Sequence, residues 1–138
     1  MQKTLLNIIA IVSILSCSSP KPETYIDYIN GYWEIEKVVT KEGKEKQYNF
    51  NQHIDFFEVT EMKGVRKKVQ PTLDGKYIST NHSERVTLKI ENDSLRIYYK
   101  TQLATWKETI ISAKENQMIL KNEAGNLYFY KSHTRIQL

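Results

Sequence analysis

The chain has little of what most active sites and most small secreted scaffolds are built from. It holds one cysteine, five glycines and three prolines in 138 residues. A single cysteine excludes a disulfide framework within the chain, so an exported form must rely on its hydrophobic core. The glycines fall singly at turn positions, which excludes a glycine-rich phosphate loop. His53, His82 and His133 have no metal-ligand spacing with one another or with the cysteine. No serine lies in a nucleophile-elbow context. Neither sign of charge dominates: 20 Lys and Arg face 16 Asp and Glu, mixed along the chain, for a net charge of +4. That balance excludes a strong nucleic-acid footprint or a polybasic membrane patch.

What is present begins with a leader. Lys3 precedes an apolar run from Leu5 to Leu15, broken by Asn7 and Ser13. At about 11 residues it has the length of a signal-peptide core, and falls short of the roughly 20 residues that span a bilayer as a helix. The run ends in Ile14-Leu15-Ser16-Cys17, which resembles the bacterial lipobox, with Leu15 bulkier than the usual residue at its position. The resemblance implies cleavage before Cys17 and a diacylglycerol on its thiol. An ordinary signal peptide cut after Ser16 or Ser18 is the alternative. Residues 1–16 are therefore expected to form the signal peptide and 17–23 a lipidated tether, since Ser18-Ser19-Pro20-Lys21-Pro22-Glu23 cannot build a packed core. Two or three acyl chains hold such a protein stably on a bilayer, whereas one holds it only marginally.

Residues 24–138 are expected to form the folded domain. Glu23 to Asn30 reads as a short helix with Tyr25, Ile26 and Ile29 on one side. From Gly31 onward the pattern has period two. Val86, Leu88 and Ile90 alternate with Thr87, Lys89 and Glu91, Leu95, Ile97 and Tyr99 with Arg96, Tyr98 and Lys100, and Leu127 and Phe129 with Tyr128 and Tyr130. Such alternation puts one face on a core and the other in water. Turn signals separate the runs at Lys41-Glu42-Gly43-Lys44, Glu61-Met62-Lys63-Gly64, Asp74-Gly75, Asn92-Asp93 and Glu123-Ala124-Gly125-Asn126. Strands are predicted near 31–40, 52–60, 65–70, 75–80, 85–91, 94–101, 104–112, 117–122 and 126–132. The fold class is all-β: an antiparallel up-and-down barrel of eight to nine strands with a short N-terminal helix. Closure hides both the sheet edges and the apolar face, and a two-sheet sandwich is the alternative.

The segment Ile29-Asn30-Gly31-Tyr32-Trp33-Glu34-Ile35 resembles the opening of the lipocalin family, whose Gly-x-Trp motif corresponds to Gly31-Tyr32-Trp33. Ser94-Leu95-Arg96-Ile97-Tyr98-Tyr99 and Trp106-Lys107-Glu108 resemble small lipocalin-like lipoproteins common in Bacteroidetes. The family's usual Thr-Asp-Tyr between the middle strands is not visible. The resemblance implies that Trp33 closes one barrel end under a basic residue, with Lys131 first choice and Arg135 second. Read from the residues alone, an inward Trp33 needs an acceptor for its N–H, and alternation from it directs Ile35 and Lys37 inward.

Catalytic templates find little support, and an enzyme is not expected. His53 and Asp55 share a strand face where they could pair. Asp55 and Glu58 face opposite sides and do not suit an acid–base pair. Neither a metal nor a cofactor is expected. Glu108 stands out because it lies between Trp106 and Ile110, on a face read as inward, and a charge there must be paired or reach water. Lys131 and Arg85 are the expected partners. The opposite parity, with Lys107 inward, remains open because Ile111 lies on that other face. The basic stretch Gly64-Val65-Arg66-Lys67-Lys68-Val69 reads as a charged edge strand or solvated hairpin, or as a weak contact with lipid headgroups.

Two functions compete. The first is a barrel holding a small hydrophobic ligand, lined by Ile35, Phe56, Leu88, Ile97, Tyr99, Trp106, Glu108 and Phe129. The second is a solid barrel acting on an envelope protein partner through Tyr32, Tyr98, Tyr128 and Tyr130. No nucleic-acid partner is expected. Ser18 after Cys17 lacks the inner-membrane retention Asp, so the expected location is the outer membrane, facing the periplasm.

Overall fold

The computed structural model describes residues 18–134. The leader, the lipobox Cys17 and Arg135 lie outside the described residues. A 3-10 helix, Pro22–Tyr28, leads into nine strands: β1 Gly31–Val39, β2 Glu45–Gln47, β3 Ile54–Thr60, β4 Lys63–Pro71, β5 Tyr77–Glu91, β6 Ser94–Lys100, β7 Thr105–Ala113, β8 Gln117–Asn122 and β9 Leu127–Ser132. The sheet order is β2-β1-β3-β4-β5-β6-β7-β8-β9, and β1 also pairs with β9. The result is a closed eight-stranded antiparallel barrel plus one extra strand, β2, which pairs Lys37 to Val39 of β1.

The strand count matches expectation, but two strands are assigned differently. The runs read near 75–80 and 85–91 form one 15-residue strand, β5, whose ladder with β4 is irregular between Lys67 and Val69. Thr80 bridges that spot, its hydroxyl donating to the Lys68 carbonyl at 3.0 Å. The extra strand β2 falls between the predicted spans 31–40 and 52–60, because Glu45-Lys46-Gln47 is wholly exposed and carries no apolar pattern. The basic segment around Arg66 is no edge, since β4 pairs with both β3 and β5.

Turn chemistry follows the sequence closely. Asn92 and Asp93 adopt φ of 50° and 57° and join β5 to β6, the left-handed pair a two-residue hairpin turn requires. The β3–β4 turn uses Glu61 and Met62 at φ 51° and 69°, not a glycine. Gly64 serves a different purpose inside β4: a Cβ there would sit 1.8 Å from the Glu58 carbonyl oxygen. Only a residue without a side chain permits that close strand approach.

The helix lies against β6 and β7 and plugs one barrel end. Tyr25 and Ile26 pack on the core, and Ile29 is fully buried. Gly31 enters β1 at φ 127°, a conformation that side chains disfavour. Just before it, Asn30 ties the lead to β3, donating to the Val59 carbonyl at 2.9 Å and accepting from the Val59 N–H at 2.7 Å.

Candidate functional site

The barrel interior is packed. Ile29, Leu95, Ile97, Met118 and Leu120 are all 0% exposed, and Phe57, Val86, Leu88, Tyr99 and Ile110 no more than 2%. A side chain beside a void that admitted water would show accessible surface, so these side chains fill their end of the barrel. Trp33 sits among them at 2% exposure. Its indole N–H donates to the Ile29 carbonyl at 2.8 Å, which supplies the acceptor a buried tryptophan needs.

Charge also enters the barrel. Arg66 on β4 faces inward and donates from Nε to Glu84 Oε2 at 3.1 Å, while its Nη1 lies 3.7 Å from Glu108 Oε1. Its guanidinium covers the Tyr99 ring at 4.2 Å, and Tyr99 in turn stacks on Trp106 with centroids 5.2 Å apart. Buried Asp55 is held by Lys68 at 2.5 Å. Burial works against the Arg66 charge, but Tyr99, Glu84 and Asp55 outweigh it and hold the guanidinium protonated. Burial pushes the Glu108 carboxyl above its usual value, with Arg66 opposing. Burial first, and Glu108 second, raise the Tyr99 hydroxyl well above the usual tyrosine range. That hydroxyl is buried without a well-formed hydrogen bond, although Glu108 is near enough to act on it.

The raised Glu108 value sets a pH dependence. A carboxyl whose folded pKa exceeds its unfolded one contributes most at low pH, and that contribution is lost as pH rises through the folded value. Glu108→Gln keeps the shape and removes the titration. The melting temperature of the variant relative to the parent should therefore become more favourable from pH 5 to pH 8. A flat difference would show that the carboxyl is not shifted, and one that falls with pH would show the opposite sign of shift.

A second feature lies outside the barrel. The β4–β5 hairpin carries Tyr77 onto the outer face of β1, where it stacks on Tyr32 with centroids 3.8 Å apart and planes at 9°. Tyr32 packs in turn on Phe56 at 4.6 Å, and the Tyr77 hydroxyl lies 2.8 Å from His133 Nδ1. Ile54 and Val69 are buried nearby, though not part of the interior cluster. Between this hairpin and the loop 49–52 runs a cleft of about 370 Å³, with Glu34 in its lining. The loop is fixed by Asn51 Nδ2, which donates to Glu34 Oε1 at 3.1 Å and to the Ile35 carbonyl at 3.0 Å.

A family model described as the lipocalin-like domain matches residues 29–120. The chain belongs to the lipocalin-like domain family. Two solved structures are similar in fold. One is a lipocalin-like protein from Bacteroides uniformis, 10% identical, with a TM-score of 0.49, covering 75% of this chain and 97% of that one. The other is an uncharacterized protein from Bacteroides eggerthii, 13% identical, with a TM-score of 0.49, covering 75% and 98%. No curated protein matches the chain. Lipocalin-like domains are in general non-enzymatic binding proteins.

Against that family pattern, several residues occupy other places than expected. Ile35, Leu88, Ile97, Tyr99, Trp106 and Glu108 do face the lipocalin-like interior, with Ile35 and Trp106 only partly buried. Phe56 does not: Trp33 pairs with Asp55 and Tyr32 with Phe56, so Phe57 points inward and Phe56 outward. Phe129 is also external, with Lys37 Nζ 4.9 Å from its ring centre, while Tyr128 packs on the core and Tyr130 is buried. Those two tyrosines are therefore not outer-face contacts. Tyr98 is, its hydroxyl donating to Glu91 at 2.7 Å. Lys37 was expected inward, but the β1–β9 register shifts between Ile35 and Lys37, which leaves Glu36 as an extra residue and reverses the alternation.

The cation expected over Trp33 is absent among the described residues. Lys131 lies opposite Glu34 on the outer face, its Nζ 3.9 Å from Glu34 Oε2. Glu108 takes Arg66 as partner, not Lys131 or Arg85. His53 is exposed ahead of β3, and Asp55 pairs with Lys68, so they form no dyad. Among the described residues, no group of three or more His, Cys, Asp or Glu is placed to hold a metal ion. Arg66 is the important residue that sequence reading missed. The signal was an inward Glu108, which demands a buried cation.

Proposed function

We propose that this protein is an acylated, envelope-tethered lipocalin-like module that binds through its surface and does not enclose a lipophile in its barrel. The observation that carries this reading is the filled interior. Leu88, Ile97 and Tyr99, three of the residues expected to line a ligand cavity, are at most 2% exposed, and Arg66 occupies the space over Tyr99. Ligand sites need open volume, on the order of 300–1,000 Å³. The tether is supported by Ile14-Leu15-Ser16-Cys17, and Ser18 supports an outer-membrane location facing the periplasm. The reading is non-enzymatic, in keeping with the lipocalin-like family.

Mass spectrometry of the full chain, made in a Gram-negative host and kept in detergent, tests both halves. The expected denatured mass is that of a chain beginning at Cys17 with acyl chains attached, and the Cys17→Ala chain should lack them. Sprayed natively, the protein should carry no additional mass that organic extraction removes. An extractable lipophile that is lost when Trp106 is changed would overturn the filled-barrel reading. It would put a ligand at the barrel mouth, where Ile35 and Trp106 are half-buried.

A further inference from the structure

We infer that the outer cleft between the loop 49–52 and the β4–β5 hairpin is a binding site for a neutral saccharide. The inference rests on the reading of the outer surface as the working face, and adds to it a site and a ligand class. Four side-chain carboxamides, Asn49, Asn51, Gln52 and Gln70, line this one cleft. Each carboxamide is both donor and acceptor, which matches a hydroxyl that also donates and accepts. Asn51 spends its amide on Glu34 and Ile35. Asn49, Gln52 and Gln70 make no side-chain hydrogen bond to another described residue, so their polar groups are available to a ligand.

The apolar half of the site is equally marked. Phe50 is 87% exposed and Leu73 is 94% exposed, one on each side of the cleft. An exposed ring lining a cleft can cover the apolar face of a ligand. The flat C–H side of a pyranose ring is such a face, because aromatic rings present a negative face to polarised C–H groups. The lining charges are already answered. Glu34 faces Lys131 at 3.9 Å and Lys76 faces Asp74 at 3.7 Å. A neutral ligand therefore fits better than an anion or a cation. A volume of about 370 Å³ lies at the small end of ligand clefts.

Both walls are built before any ligand arrives. Tyr77 is fixed by its stack on Tyr32 and its bond to His133. The hairpin tip is closed by the Thr72 N–H donating to the Lys76 carbonyl at 2.9 Å and the Gly75 N–H donating to the Thr72 carbonyl at 3.1 Å. Fixed walls reduce the ordering cost of binding.

Saturation-transfer NMR on the full acylated chain, in a detergent without a sugar headgroup, tests the site with maltotriose, cellotriose and chitotriose as probes. At least one trisaccharide should receive magnetisation. Titration should show its dissociation constant rising at least about tenfold in Phe50→Ala and in Gln52→Ala. Both side chains lie in a loop outside the barrel core, so melting temperature should hardly move. Leu103→Ala, at the equally exposed β6–β7 turn, should leave binding unchanged. No transfer to any of the three sugars, or transfer unaltered by Phe50→Ala, overturns the proposal. Failure here leaves the native-mass result untouched, so loss of the saccharide site and loss of the filled-barrel reading are told apart.

Discussion

Arg66→Ala should destabilise the barrel by about 3–5 kcal/mol, the range for removing one partner from a buried charge pair. The side chains of Arg66, Glu84 and Glu108 are only 11%, 16% and 9% exposed. Without the guanidinium, two carboxylates share that space with no cation against them, and the Tyr99 ring loses the group that covers it. Urea unfolding at pH 7 measures the loss. It should shrink at pH 4, where the carboxylates take up protons. Arg66→Met combined with Glu108→Gln should recover much of it, because an apolar stem beside a neutral amide leaves fewer unpaired charges. A loss below about 1 kcal/mol, the size typical of exposed pairs, would mean that water reaches the cluster.

The second large effect is expected at Trp33. Truncation to Ala should cost about 3–5 kcal/mol, the range for deleting a buried large aromatic. Trp33 joins the helix lead to the barrel through its bond to the Ile29 carbonyl, so the loss should extend to the packing of Ile29. Trp33→Phe keeps most of the apolar area but leaves that carbonyl without its donor, at a cost of about 1–3 kcal/mol. Thermal unfolding of the two variants separates packing from hydrogen bonding. Equal losses would mean that the indole N–H carries the whole effect.

Where alternation was unbroken, the strands were legible. β6 and β8 match their expected spans closely, and the Asn92-Asp93 turn has the backbone its residues suggest. Reading failed where apolar residues stand on both faces. Phe56 and Phe57 are adjacent and equally hydrophobic, and Tyr128-Phe129-Tyr130 is aromatic throughout, so hydrophobicity alone could not choose the inner face. It also failed at extra residues. The register shifts at Glu36 and again between Ile110 and Ser112, where Ile111 is left over. That bulge explains why Ile111 seemed to contradict an inward Glu108. Arg66 was hidden among Lys67 and Lys68, since a basic run reads as solvated until a partner strand puts one member inside. The outer cleft had no sequence signature, because its walls come from a loop and a hairpin that meet only through tertiary packing.

The pairing of β1 with β9 also bears on how the chain reaches its fold. Trp33 lies beside Ser132 and Val39 beside Leu127, so the first strand made waits for the last before the barrel can close. Contacts this distant along the chain are slow to form, and a waiting strand offers an open edge to other chains. The small strand β2 covers part of the other edge of β1, the stretch that β3 leaves unpaired, while the edge that faces β9 stays open. Strand β2 follows β1 after one short turn and pairs with Lys37 to Val39, so it can form early and locally. Its exposed Glu45, Lys46 and Gln47 would then face outward as a charged guard on that side of β1 while the rest of the chain is still being delivered.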